Sequence, residues 1–395
     1  MIVQFKNAFG GNLEDVDRGL FGSDAPAAVQ PFMALWRRPG ATPLVRLPEI
    51  ATEARVGEVY LKDESRRLGM GSFKALGGAY AVMTIFKEML ESHLGGEVTV
   101  AQLVTPTARE FARQVTFCCA TDGNHGKSVA AGACILGCKS VIFVHEGVTE
   151  ARASAIGSDE VVRVSGNYDR SVEEAERVSK ANGWNLVSDT SWPGYERIPA
   201  LVGQGYTILA DEVLQQVAGH DLPPPTHVFL QAGVGGFAAS VSAHLCERLG
   251  RGSVRTVVVE PDRAACLLAT ARAGELRSFA PTEPTIMAML ECYTPSVIAW
   301  RVLERTADAF MTVSDEDARM AMRRLALRTP EAIVAGESGA AGLAGLLALA
   351  ADAGARRSVG LDASSRVLLV NTEGATDPAS FEAIVGAAAE SFVAA

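Results

Sequence analysis

The stretch THVFLQAGVGGFAAS, Thr226 to Ser240, passes from an unbroken apolar run through three glycines in four positions into a series of small helix-forming residues. An apolar run without polar alternation predicts a strand covered on both faces, as in a parallel sheet. The helix that follows leaves its first amides without carbonyl partners. The amides of Gly233, Val234, Gly235, Gly236 and Phe237 are therefore candidates to cradle a phosphate at the positive helix end. A turn needing only backbone freedom would not call for so many glycines.

Two kinds of phosphate ligand fit these letters. G-V-G-G-F-A also matches the dinucleotide fingerprint, and Glu260, closing the next strand RTVVVEP, stands where a ribose-binding acid would lie. A nicotinamide-dependent dehydrogenase is thus the alternative from outside the class favoured below. It leaves two other motifs unexplained.

Working outward, EVYLKDES, VTFCCATD, KSVIFVHEG and EVVRVSG each lead into a helical pattern, and WNLVSDTS closes the series; HVFLQ, TVVVE, AFMTVSD and VLLVN continue it. Repeated βα units predict an α/β chain with largely parallel sheets. At 395 residues the chain exceeds the roughly 250–300 at which one core stops growing, so two domains are expected. The change in strand composition places a smaller domain at 88–198, with 1–87 and 199–395 forming a larger one.

A net charge of −10, with acids and bases interspersed, argues against nucleic acid or an anionic membrane as partner. No apolar run reaches the ~18 residues of a membrane span, and the opening MIVQFKNAFGGNLEDVD has no basic leader pattern, so a cytoplasmic protein is expected. Seven cysteines without C-x-x-C spacing and six scattered histidines point to no metal site. Cys266 and Cys292 both follow strands of the larger domain, and whether they pair is left open. Free thiols are the expectation in a reducing compartment.

GMGSFKALGGAYAVM, Gly69 to Met83, sets Lys74 at a helix start among glycine and alanine, which reads as an amine in space kept for a ligand. CCATDGNHGKSVA, Cys118 to Ala130, is a strand, a turn and a helix. Its turn amides suit an anion such as a substrate carboxylate, which makes Thr121, Asp122, Gly123 and His125 candidate substrate contacts; Asn124 can hydrogen-bond a ring oxygen.

With these motifs in this order, the chain resembles the fold-type II pyridoxal-phosphate enzymes, the group of serine and threonine dehydratases. The resemblance implies two parallel-sheet α/β domains with the cofactor, pyridoxal 5'-phosphate, in the cleft between them. It makes Lys74 the Schiff-base lysine after Phe73, sets Asn124 against the cofactor, and gives the phosphate to Gly233–Phe237. Thr372, after the last strand, would meet the pyridine nitrogen.

Asp122 departs from the dehydratase pattern, which has Ser or Ala there. Together with SDTSWPGYE at 188–196, IMAMLECYTP at 286–295, IVAGESGAAGL at 333–343 and NTEGATDP at 371–378, it is similar to the diaminopropionate ammonia-lyases. That likeness implies elimination of an amine from 2,3-diaminopropionate to give pyruvate and ammonia, with a homodimer as the assembly. Lys74, Asp122 and Asp189 would be catalytic, Lys74 deprotonating the L-isomer and Asp122 the D-isomer, and Asp189 also contacting substrate. A carboxylate about 4 Å from a β-ammonium gains roughly 4 kcal/mol at an effective dielectric near 20, enough to favour a diamine over a hydroxy amino acid. A serine or threonine dehydratase, or a β-replacement synthase, is the alternative of the same fold.

Overall fold

The computed structural model of the protein describes residues 2–4, 12–37, 39–281, 283–329 and 331–392. Its strands are β1 (Ile2–Gln4), β2 (Leu44–Arg46), β3 (Glu58–Asp63), β4 (Thr116–Ala120), β5 (Lys139–His145), β6 (Glu160–Val164), β7 (Asn185–Leu186), β8 (His227–Gln231), β9 (Arg255–Pro261), β10 (Ala309–Val313) and β11 (Arg366–Asn371). Among the described residues they form a seven-stranded sheet, ordered β1-β10-β9-β8-β11-β3-β2, and a four-stranded one, ordered β6-β5-β4-β7. The strands named in the sequence as βα units pair in parallel throughout. The short β1 and β2, which carry too few residues for a readable pattern, close the larger sheet antiparallel at its two edges.

The burial pattern follows from these positions. All five residues of β8 and all five of β10 are buried, as expected for strands covered on both faces, whereas the edge strand β6 exposes Glu160, Val161 and Arg163. The helix Ala341–Ala351, built of Ala, Gly and Leu, lies close on the larger sheet: a Cβ on Gly345 would stand 2.7 Å from Val259 Cγ2.

The compact units comprise residues 1–24, 41–66 and 209–395 around the larger sheet, and 25–40 and 67–208 around the smaller. The divisions differ from those expected at 87/88, inside the helix Lys74–Leu94, and at 198/199: they fall at 66/67, ahead of that helix, and at 208/209, within the helix Arg197–Gly219. For the first of them the reason is helix packing. Lys74–Leu94 lies against Asn124–Leu136 so closely that a Cβ on Gly132 would stand 2.8 Å from Ala79 Cα and one on Gly78 2.9 Å from Ser128 Oγ. Ser128 Oγ accepts from Ala79 N at 2.9 Å and donates to Ala75 O at 3.3 Å. Gly78 and Ala79 serve this contact, and Gly77 allows a second one, where a Cβ would stand 2.6 Å from Val202 O on the helix Arg197–Gly219. Among the described residues no helix is long and apolar enough to cross a membrane.

Candidate active site

In the unit of the smaller sheet, Lys74 is the first residue of its helix, and its amine forms an ion pair with Asp189. Burial alone would push the Asp189 carboxyl up, but the Lys74 charge and its hydrogen bond hold it well below the ordinary range. Asp189 sits just past β7 on a fastened segment. Val187 N donates to Cys118 O at 2.8 Å, and Tyr195 OH donates to Leu186 O at 2.7 Å while accepting from Ser188 N at 3.1 Å. The rings of Trp192 and Tyr195 stack at 4.3 Å. The aromatic letters of SDTSWPGYE thus hold the backbone that presents the acid.

His125 completes this cluster. Its Nε2 donates to Val187 O at 2.7 Å, and burial lowers its pKa, so the ring is neutral with Nδ1 unprotonated. That Nδ1 is buried, has no hydrogen-bond partner, and lies 3.9 Å from Asp189 Oδ2.

The turn before His125 is shaped by Thr121, whose Oγ1 accepts from Gly123 N at 3.0 Å and Gly126 N at 3.1 Å. The Thr121 oxygen is therefore engaged by the turn, which leaves its hydroxyl proton to donate. Gly123, with φ of 148°, caps the helix Asn124–Leu136 without a side-chain bond, and nothing lies within 4 Å of where its Cβ would be. A buried helix start without a side-chain cap suits an anion. Asn124 is buried in the first turn. Asp122 points Oδ1 to within 3.0 Å of Nε2 of His145, at the C-terminal end of β5.

In the unit of the larger sheet, Gly235, with φ of +98°, caps the helix Gly236–Leu249 with no side-chain bond. A Cβ there would be 3.0 Å from both Ala299 Cβ and Leu267 Cδ1, and one on Gly233 2.9 Å from Cys292 Sγ. Cys266 Sγ donates to Gly233 O at 3.6 Å, and both cysteines are free thiols. Val234 O accepts from Ser296 N at 3.0 Å, and Phe237 is buried in the first turn. Thr372 is buried after β11, its Oγ1 accepting from Gln231 Nε2 at 3.0 Å. The same nitrogen reaches Val370 O at 2.9 Å and Ser338 O and Gly339 O at 3.2 Å each, which fixes the strand ends around Thr372.

Glu260 does not await a ribose. Its two oxygens accept from Leu267 N and Leu268 N at 2.8 Å each, capping the helix Cys266–Ala273. Glu337 accepts from Ser380 Oγ and likewise holds a helix in place. Sequence reasoning missed His145 and Gln231. Each ends a parallel strand, the end where ligands gather in such sheets, and that position was the available signal.

The family described as pyridoxal-phosphate dependent enzyme matches residues 35–373. The diaminopropionate ammonia-lyase of Salmonella typhimurium is 38% identical over 354 residues, 87% of each chain, and that of Escherichia coli is 36% identical over 353 residues, again 87% of each. Solved structures of the Escherichia coli enzyme, in holo form and with an aminoacrylate–pyridoxal-phosphate azomethine intermediate, have a TM-score of 0.86 at 32% identity, covering 98% of this chain and 97% of theirs. A tomato threonine deaminase, at 18% identity and a TM-score of 0.73, shares the fold.

Proposed function

The chain belongs to the pyridoxal-phosphate dependent enzymes and, within them, to the diaminopropionate ammonia-lyases, and we infer that it eliminates the β-amine of 2,3-diaminopropionate to yield pyruvate and ammonia. The observation that carries this reading is the Lys74–Asp189 ion pair, formed by residues of SFK and SDTSWPGYE. Asp122, an acid in the G-N-H-G turn, supports a cationic leaving group over a hydroxyl.

The residues present fit pyridoxal phosphate. Gly233 and Gly235 leave a cradle that a Cβ would fill, the helix behind it has no side-chain cap, and His125 Nδ1 is a buried acceptor with no hydrogen-bond partner. Lys74 would hold the aldehyde carbon, the amides of Gly233–Phe237 the phosphate, Asn124 a ring oxygen, and Thr372 the ring nitrogen. Because Gln231 donates to Thr372 Oγ1, the Thr372 proton is left to point at a nitrogen acceptor. When bound, the cofactor supplies an electron sink for the pair released when the Cα–H bond breaks.

The chain's own groups do the rest. The open amides at Gly123 and Asn124 take the substrate carboxylate. Lys74 removes the Cα proton of the L-isomer, and Asp189 stabilises the positive charge that the amine then carries. Asp122 faces the β-ammonium and removes the Cα proton of the D-isomer. The pair left at Cα forms the Cα–Cβ double bond as Cβ–N breaks and ammonia leaves. Water then converts the released 2-aminoacrylate to pyruvate and a second ammonia.

We also read the protein as a cytoplasmic homodimer. Interspersed surface charge and free thiols support the compartment, and family resemblance supports the dimer. The test of the activity is pyruvate release from D- and L-2,3-diaminopropionate, L-serine and L-threonine under identical conditions. Preference for serine or threonine transfers the reading to a dehydratase.

A further inference from the structure

Beside the Lys74–Asp189 ion pair lies a basic nitrogen that no hydrogen bond occupies among the described residues. His125, in the first turn of the helix Asn124–Leu136, is 4% exposed. Its Nε2 is committed to Val187 O, and because a carbonyl only accepts, the ring proton sits on Nε2 and the lone pair on Nδ1. Nδ1 is buried without a hydrogen-bond partner and stands 3.9 Å from Asp189 Oδ2, the oxygen that Lys74 Nζ holds. A neutral imidazole and a carboxylate so placed are two acceptors with room for one proton between them. The other titratable groups on which Asp189 acts are not bases at neutral pH. Burial pushes the Cys119 thiol and the Tyr195 and Tyr206 phenols up, so each keeps its proton.

We propose that His125 Nδ1 receives the proton that Lys74 gives up when its amine becomes a nucleophile. The proposal rests on the reading of Lys74 as the lysine that holds the aldehyde carbon. An ammonium cannot attack a carbonyl, so Lys74 must first become a free amine. In that step an Nζ–H bond breaks, its electron pair stays on Nζ, and an N–H bond forms at Nδ1. Asp189 then faces an imidazolium in place of an ammonium, and the buried carboxylate keeps a positive partner throughout. The 3.9 Å gap closes because Nδ1–H has become a charged donor to Oδ2. A proton sent to solvent instead would leave Asp189 as an uncompensated buried charge. The transfer runs in reverse when the amine is released again.

Two measurements on the full chain test this. In ¹H–¹⁵N spectra of the six imidazoles, with His125 assigned by its loss in His125→Gln, the wild-type ring should be the Nε2–H tautomer. Lys74→Met leaves Asp189 without its cation, so the His125 midpoint should rise by about one pH unit or more as the ring takes over that role. In rapid mixing of apoprotein with pyridoxal phosphate, His125→Gln should slow covalent capture about tenfold or more. Its affinity for deoxypyridoxine phosphate, which has a methyl group in place of the aldehyde, should stay within about threefold of wild type. Glutamine keeps an N–H at similar reach for Val187 O and so removes the base without releasing the backbone. An Nδ1–H tautomer, a midpoint unmoved in Lys74→Met, or a loss of deoxypyridoxine phosphate affinity equal to the loss of rate overturns the proposal. If borohydride fixes the cofactor to another lysine, the assignment of Lys74 fails and the proposal falls with it. If the adduct is on Lys74 and His125→Gln captures as fast as wild type, the proposal alone fails.

Discussion

Gly235→Ala tests whether the glycine turn is built for a phosphate. An L-residue at φ of +98° carries left-handed strain of roughly 1–2 kcal/mol, and the new methyl meets Ala299 Cβ and Leu267 Cδ1 at 3.0 Å. Leu267 can rotate away. Ala299 belongs to the helix Val297–Thr306 and cannot, so crowding adds about 1 kcal/mol. Without ligand the turn can relax to relieve part of this. A phosphate that needs converging amides forces the strained shape back, and the energy appears as lost affinity. About 2–3 kcal/mol corresponds to a Kd raised roughly 30- to 150-fold. The assay is equilibrium titration of apoprotein with pyridoxamine phosphate, which lacks the aldehyde and so reports the cradle without the bond to Lys74. Gly274→Ala is the control: its φ is +73° but nothing lies within 4 Å, so it should lose about 1 kcal/mol of stability and no affinity. Binding by Gly235→Ala within twofold of wild type, with unchanged melting, would refute the reasoning.

Borohydride treatment of the holoenzyme should fix the cofactor to the peptide containing Lys74, and Lys74→Ala should lose both that adduct and turnover of both isomers, by about a thousandfold or more; an adduct on another lysine contradicts the assignment. Burial pushes the thiols of Cys118 and Cys138 up to about 12, whereas Cys134 is exposed and Cys246 and Cys292 are half-buried, so Cys134 is expected to react first in native protein and all seven thiols after unfolding. Burial also pushes Glu260 up to about 8, above its unfolded value near 4.3, so the folded state binds a proton that the unfolded chain lacks between those limits. Stability from this source is present at low pH and lost as pH rises toward 8. The melting temperature of Glu260→Gln relative to wild type should therefore climb from pH 5 to pH 9, and a pH-independent difference would show the carboxyl to be ionised throughout.

The βα alternation, the continuous apolar strands and the glycine turns were legible in the sequence because each is a local pattern, decided by the backbone geometry of a few consecutive residues. HVFLQ and AFMTV are buried strands for that reason, and Gly235 adopts the positive φ its place implies. Lys74, in SFK, could be singled out from its motif. Its pairing with Asp189 could not, since 115 residues separate them and only the fold of the smaller sheet brings the amine to the acid. Distance along the chain also hid His145 from Asp122 and Gln231 from Thr372, pairs defined by neighbouring strand ends. Glu260 matched a ribose-binding position by letter count and became a helix cap because the chain turned back on it. The small residues after Lys74 also let two helices, Asn124–Leu136 and Arg197–Gly219, pack close on its own helix, which no local pattern showed. Sequence determined which groups could do the chemistry. Tertiary structure decided which of them face one another, because a carboxylate or an imidazole acts only over the few ångströms that packing sets.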